Sequence, residues 1–370
     1  MTKLWKNCFD KGGINMDKTI LEKLVRRCVM PLAPYNPGEV PEARVRIMAN
    51  ENNLGVGEAA LRAMTKAVLF ANRYPDITCA RLRKKIAEKN NLRPEQIIVG
   101  NGLDGVFTML GRAFINPRDE VICGAFSFSV YADTARIMGG TAAEVPMTAE
   151  FGIDIDGFIS AVTPKTKLIF LCNPNNPTGS IVSSAQVRRL LDAVPKDVLV
   201  IADEAYIEFS PDIDTALPLL AEYPNLIVCR TFSKLYGLAG LRTGWAAADS
   251  DIISQLYKVR EPYCVNAIAE AAAYAALDDD DYIADTRALT AAERVRFEDF
   301  FRENGIKYYP SAANFILATM GERTEEIHKK LFEDGILTRF MTHKGMKYIR
   351  FSIGDIEENL FVLDKLKQML

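Results

Sequence analysis

This chain has no C-x-x-C pair among its seven cysteines, no long apolar run and no basic tract. Without paired thiols at ligand spacing, a structural zinc site is excluded. No apolar run approaches the roughly 18 residues that a membrane span requires. A net charge of -3 with scattered lysine and arginine leaves no nucleic-acid footprint. The run Asp278–Asp281 lacks the glycine and spaced oxygen ligands of a calcium loop, so it reads as a solvated turn or helix start. The N-terminal Lys3 and Lys6 are followed by a polar stretch, Asn7–Asn15, without the apolar core of a signal peptide. Met16 opens a cleaner helical segment, so residues 1–15 read as an extension that folding and activity do not need. Neither His328 nor His343 falls in a motif, and neither receives a role.

What is there is ordinary for a globular protein: 49% hydrophobic and 25% charged residues over 370 positions. That length suits two domains, or one large and one small. Several cysteines sit in apolar runs such as Val121-Ile122-Cys123 and Leu168–Cys172, where they act as small buried hydrophobes. An odd number without a pattern fits a reducing cytosol, and a cytoplasmic location is expected.

Helical spacing runs from Asp17 to Met30, then the prolines of Pro31–Gly38 force an extended arm. From Gln96 to Ala248 apolar strands alternate with helices. The strands are expected at 96–99, 120–123, 168–172, 198–202, 226–230 and 244–248, with helices through Phe114 and at 131–138, 184–193 and 216–223. Such a pattern predicts an α/β fold with a mostly parallel sheet covered on both faces. Ligands bind beyond the carboxyl ends of the strands in sheets of this kind. A long helical stretch, 252–304, breaks near Pro262 and in the acidic run. A smaller α+β unit follows, with strands at 314–318, 336–339 and 348–352 and helices at 324–334 and 356–368.

The chemistry centres on Lys234, in Thr231-Phe232-Ser233-Lys234. Upstream lie Asn173-Pro174-Asn175-Asn176-Pro177-Thr178-Gly179 and Asp203-Glu204-Ala205-Tyr206; downstream lies Gly237–Arg242. Taken alone, each element has a bland reading: a solvated lysine, a turn, a helix cap. Together they place an amide, an acid, a phenol, an amine and a guanidinium, in that order, after successive strands. That set can hold a phosphorylated pyridine aldehyde from every side.

On these motifs the chain resembles the fold-type I pyridoxal-phosphate-dependent aminotransferases of classes I and II, and within them the histidinol-phosphate aminotransferase branch. The resemblance runs from Tyr35 to Arg350. It implies the PLP-transferase fold: a large domain over residues 46–255, a small C-terminal domain over 256–370, and an N-terminal helix and arm over 1–45. It also implies pyridoxal 5'-phosphate as cofactor, with Lys234 as its covalent anchor. A free lysine titrates near about 10.4 and must be desolvated or set beside cations to react as an amine. Asp203 would pair with the pyridinium N–H and keep the ring an electron sink. Asn176 and Tyr206 would hydrogen-bond the phenolic oxygen. Gly102, Leu103 and Asp104 would offer backbone N–H groups to the phosphate at a helix start, with Thr231, Ser233 and Arg242 adding hydroxyls and a guanidinium. Here Leu103 and Gly105 depart from the family's Gly-Ser-Asp-Glu, losing a hydroxyl but no N–H. Phe128 would stack on the ring. Tyr74 would reach the phosphate in a neighbouring subunit, which implies a homodimer.

On the substrate side the resemblance implies Tyr35, Asn176, Arg339 and Arg350. Two arginines and a tyrosine suit a phosphate monoester better than one arginine would. Asn53 stands where the family often has proline. The expected activity is transfer of an amino group from histidinol phosphate to a 2-oxo acid, 2-oxoglutarate, in amino-acid biosynthesis. Lys234, Asp203 and Tyr206 would carry the catalysis, with no metal, nucleic acid or membrane involved. The rival readings are L-threonine-O-3-phosphate decarboxylase, another amino-acid aminotransferase, and a binding protein on the same fold.

Overall fold

A computed structural model describes residues 17–34 and 42–370. Tyr35 and the extension 1–15 lie outside the described residues. Seven strands form the central sheet: β2 (Ile97–Asn101), β3 (Glu120–Gly124), β4 (Thr141–Val145), β5 (Thr166–Cys172), β6 (Leu199–Asp203), β7 (Leu226–Thr231) and β8 (Thr243–Ala248). Their spatial order is β2-β8-β7-β6-β5-β3-β4. Strands β4, β3, β5, β6 and β7 run parallel, and β8 lies antiparallel to both β7 and β2. The near-continuous burial of β5, β6 and β7 explains why they read as unbroken apolar runs.

The register decides where the chemistry sits. Cys172 pairs with Asp203, and Asp203 with Cys229, so three neighbouring strands end at one level. The segments that follow them carry Asn176, Tyr206 and Lys234. Helices close the two faces: α4 (Gly102–Phe114) and α5 (Val130–Met138) cover one region, and α7 (Ser184–Ala193) another. Helix α7 starts on a reciprocal cap in which Ser183 and Gln186 bond each other's backbone.

A second sheet has the order β12 (Arg339–His343), β13 (Met346–Ser352), β10 (Phe315–Thr319) and β9 (Lys307–Tyr309), all antiparallel. The 24-residue helix α10 (Asp280–Glu303) packs on it, and helix α12 (Ile356–Met369) packs against α10. Phe297, Phe301 and Phe351 form its fully buried centre, together with Val45 and Ile47 from far upstream. Truncating any of these phenylalanines to alanine costs about 3–5 kcal/mol.

Four expectations need correction. The helix expected over 17–30 stops at Leu24, because Val25 is extended at ψ 139°. Its apolar stripe, Ile20, Leu21 and Leu24, is exposed, so no packing supports a longer helix. The expected helix at 216–223 is a 3-10 turn, Leu217–Ala221, opened by a proline. The single strand expected at 336–339 is two. Ile336–Leu337 (β11) pairs in parallel with β1 (Val45–Arg46), while Arg339–His343 pairs with β13. Strand β4 was not foreseen, because Thr141–Val145 is a half-exposed edge of small and polar residues. The acidic run behaves as a helix start: Asp280 and Asp281 open α10, and Asp278 pairs with Lys85 and Lys89.

Candidate active site

The strand ends, the first turn of α4 and the edge of the small sheet enclose a cavity of about 480 Å³. That size suits a cofactor or a small ligand. Lys234, Asp203, Tyr206, Asn176 and Phe128 all line it, as do Arg339 and Arg350 from the small sheet.

Lys234 follows β7, and its Nζ donates to the carbonyl of Ala49 at 3.0 Å. Burial, then the nearby Arg350, push its ammonium down from 10.5 to about 8. Asp203, the last residue of β6, is buried. Burial pushes its carboxyl up from 3.8 to about 6, against the pull of hydrogen bonds from Tyr131 and the Ala205 N–H. A carboxylate in such a place calls for a cationic or N–H partner. A desolvated amine and a buried acid facing one cavity are what an amine-reactive aldehyde with a protonatable ring nitrogen needs.

Tyr206 and Asn176 form a relay between the sheet and the second domain. The Tyr206 hydroxyl accepts from Asn50 Nδ2 at 3.0 Å and from Asn176 Nδ2 at 3.5 Å. Asn176 Oδ1 in turn accepts from Arg350 Nη1 at 2.5 Å, and Arg350 Nη2 donates to the Met48 carbonyl at 2.7 Å. The turn carrying Asn176 is fixed by Asn175, whose amide donates to the Phe126 carbonyl and to Thr178. The peptides before Pro174 and Pro177 are both cis.

An anion pocket lies at one end. Helix α4 begins at Gly102, and the side chain of Asn101 caps none of its first-turn N–H groups. Those donors and the positive end of the helix dipole face the cavity through Leu103 and Asp104. Gly102 itself has φ +68°, and a Cβ there would lie 2.6 Å from Arg242 Nη2, so the position demands glycine. Arg242 pairs with Asp104 at 3.2 Å, with both side chains about half exposed. Thr231 and Ser233 complete the lining, and the Thr231 hydroxyl accepts from the Ser233 N–H at 3.1 Å. Leu103, at the place of a serine, is buried and leaves the backbone of α4 in position.

Arg339 and Arg350 are direct cross-strand partners on β12 and β13. Both line the cavity, where a guanidinium can meet an anionic group.

Tyr74 is not brought to this cavity within one chain. It is 82% exposed and stacks on Tyr263 with ring centroids 4.6 Å apart. Two contributors escape a reading by motif: Tyr131 bonds Asp203 and Asn50 bonds Tyr206. Glu204, beside Asp203, has a structural part, buried against Arg230 at 2.9 Å. Tyr131 and Asn50 read as core and loop residues, because their partners lie 72 and 156 positions away. His343, given no role, stacks on Phe126 at 4.5 Å, where the two sheets' domains meet.

Among the described residues, no group of three His, Cys, Asp or Glu side chains could hold a metal ion, and no helix is long and apolar enough to cross a membrane. The family model described as aminotransferase class I and II matches residues 46–366. The chain is 37% identical over 354 residues to histidinol-phosphate aminotransferase 1 of Mannheimia succiniciproducens, covering 92% of this chain and 96% of that one. It is 36% identical over 356 residues to the histidinol-phosphate aminotransferase of Symbiobacterium thermophilum, covering 94% and 98%. Among solved structures, the histidinol-phosphate aminotransferase of Sinorhizobium meliloti in complex with pyridoxal-5'-phosphate superimposes with a TM-score of 0.86. It shares 27% identity and covers 94% of this chain and 98% of that one.

Proposed function

The chain belongs to the class I and II aminotransferases, and from that premise we propose that it moves the amino group of histidinol phosphate to 2-oxoglutarate. The cofactor is pyridoxal 5'-phosphate. When bound, it supplies an aldehyde that condenses with amines and a protonated ring that takes up the electron pair left at the substrate Cα. The buried acid, the desolvated amine and the anion pocket are a matching set for it.

The residues divide the work. Lys234 would anchor the aldehyde and, as a free amine, would take the substrate's Cα proton on Nζ. Asp203 pairs with the ring nitrogen and keeps it protonated. Tyr206 and Asn176 donate to the phenolic oxygen and tune its basicity. The first N–H groups of α4, with Thr231, Ser233 and Arg242, hold the phosphate. Phe128, which lines the cavity, would stack on the ring. Arg350 and Arg339 would hold the anionic end of the substrate; Tyr35, assigned there by the resemblance, lies outside the described residues.

The observation that carries the substrate reading is that two arginines, direct cross-strand partners, both line the cavity. Two cations on one face favour a dianion, such as a phosphate monoester, over a monocarboxylate. Arg339→Ala should raise KM for histidinol phosphate about 10–100-fold, the worth of one charge-assisted hydrogen bond, with kcat little changed. Steady-state kinetics measure this, and an unchanged KM would remove Arg339 from the site.

A half-reaction tests the activity itself. Holoenzyme mixed with histidinol phosphate should convert its cofactor to the amine form, followed by absorbance, and 2-oxoglutarate should restore it. Release of carbon dioxide from threonine phosphate, without that conversion, would replace aminotransfer with decarboxylation.

We further infer that the working form is a homodimer. Leu69, Phe70 and Tyr74 are 78%, 65% and 82% exposed, an apolar patch that a second copy would cover. Tyr74 would then serve the neighbouring subunit's phosphate pocket. Free cysteines at six described positions, four of them buried, support a reducing cytosol.

A further inference from the structure

We propose that Tyr131 is a positioning residue: its phenol O–H holds the Asp203 carboxylate ionised and turned to the cavity, ready for the ring nitrogen of the cofactor. This rests on the cofactor assignment and not on the choice of substrate.

The geometry is direct. Tyr131 Oη donates to Asp203 Oδ2 at 2.5 Å, and the Ala205 N–H donates to Oδ1 at 3.0 Å. Each carboxylate oxygen thus has one donor from the protein, and Asp203 still borders the cavity. A carboxylate oxygen accepts more than one hydrogen bond, so a further donor from the cavity can be added without displacing either.

The phenol is held for this contact. Tyr131 is completely buried in α5. Its ring stacks on Phe170 at 4.6 Å and 11°, and meets Phe107 and Phe128 edge-on at 5.5 and 5.6 Å. Three aromatic neighbours leave the ring little freedom, so the hydroxyl is fixed in place. Burial, first, and the Asp203 charge, second, push the phenol well above its ordinary range. It therefore stays a donor throughout the working pH range. The Phe128 contact also links the ring that would lie against the cofactor to the residue that would hold the acid beneath it.

Other groups facing Asp203 cannot take over this task. The thiols of Cys172 and Cys229 are pushed up by burial and stay neutral. Asp104 and Glu204 repel the carboxylate and so favour its protonated form, and burial pushes the Tyr206 phenol up and keeps it neutral. Burial already lifts the acid to about 6, and the Tyr131 bond is the largest opposing influence. Without it the carboxyl moves further up, and less of it is ionised at neutral pH. The sign follows: the acid limb of activity and of cofactor binding moves to higher pH.

The test uses Tyr131→Phe, which keeps the ring and its aromatic contacts. Pyridoxal 5'-phosphate affinity at pH 7 should fall about tenfold, and the acid limb of kcat/KM should rise by about one pH unit. In an Asp203→Asn background the same change should alter affinity less than twofold, since no carboxylate remains to be held. Equal losses in both backgrounds, or an acid limb that stays in place, would overturn the proposal and leave Tyr131 a packing residue. Should Tyr131→Phe not fold, Tyr131→3-fluorotyrosine supplies the opposite test. Its more acidic phenol donates more strongly and should move the acid limb down, and an upward shift or none would overturn the proposal. Wild-type protein that takes up no pyridoxal 5'-phosphate would overturn the cofactor assignment, and this proposal with it.

Discussion

Lys234→Ala should abolish turnover, with a loss of at least ~10⁴-fold, because one amine serves as both covalent anchor and proton acceptor. The visible absorbance of the lysine-bound cofactor should vanish even if pyridoxal 5'-phosphate still binds. Retention of that absorbance would mean that the anchor is another lysine. Among the described residues, Lys234 is the one lysine that borders the cavity. Its setting also explains how a lysine can act near neutral pH. Burial and the neighbouring Arg350 lower it to about 8, so a useful fraction is the free amine where an exposed lysine would be almost wholly protonated. The same physics gives a control. Lowered from 10.5, the ammonium is disfavoured in the folded state, a cost present in full below about 8 and gone above 10.5. Without cofactor, Lys234→Ala should therefore melt no lower than wild type at pH 7, and its relative advantage should shrink as pH rises from about 8 to 10.5. A melting temperature well below wild type at pH 7 would mean that lost packing, and not lost chemistry, accounts for the dead enzyme.

Much of this site is legible in the sequence because its central pieces follow apolar strands. Runs such as Leu168–Cys172, Val198–Ala202 and Leu226–Arg230 announce buried parallel strands, and the polar residue after each announces a ligand-facing end. The register then places Cys172, Asp203 and Cys229 level, which no local pattern states. Long-range partners are where the reading ends. Asn50 meets Tyr206 across 156 positions and Ser352 across 302, inside a loop whose left-handed φ of 54° has no signature beyond the asparagine. Tyr131 lies on the buried face of a helix, where an aromatic reads as core, and its hydroxyl matters only because Asp203 comes to it. The arginine pair was legible as two separate residues. Their cross-strand pairing became visible only when the segment expected as one strand proved to be two, with β12 folded back on β13.

Asp203→Asn is the second large effect expected. The ring nitrogen would lose its ionic partner, and with it the proton that makes the ring an electron sink. Loss of one preorganised electrostatic contact to the developing charge costs on the order of 10²–10³-fold in kcat. Cofactor affinity should fall as well, by about tenfold or more for a charge-assisted hydrogen bond. The amide is nearly isosteric, and its one oxygen can still accept from one of the two donors, Tyr131 or the Ala205 N–H, so the fold should survive. Stability should in fact move the other way. Burial raises this acid from 3.8 to about 6, so the folded state carries a cost that is full above about 6 and absent below 3.8. Removing the charge should stabilise cofactor-free protein at pH 7 by up to about 3 kcal/mol, less whatever the Tyr131 bond loses in facing a neutral acceptor. That gain should fade as pH drops from about 6 towards 3.8. Thermal melts across that range, run beside cofactor titrations, separate the two roles of one residue. A variant more stable and far less active would fit an acid kept buried at a cost for its chemistry. One that is equally active would mean that the cofactor ring is held and protonated by some other group.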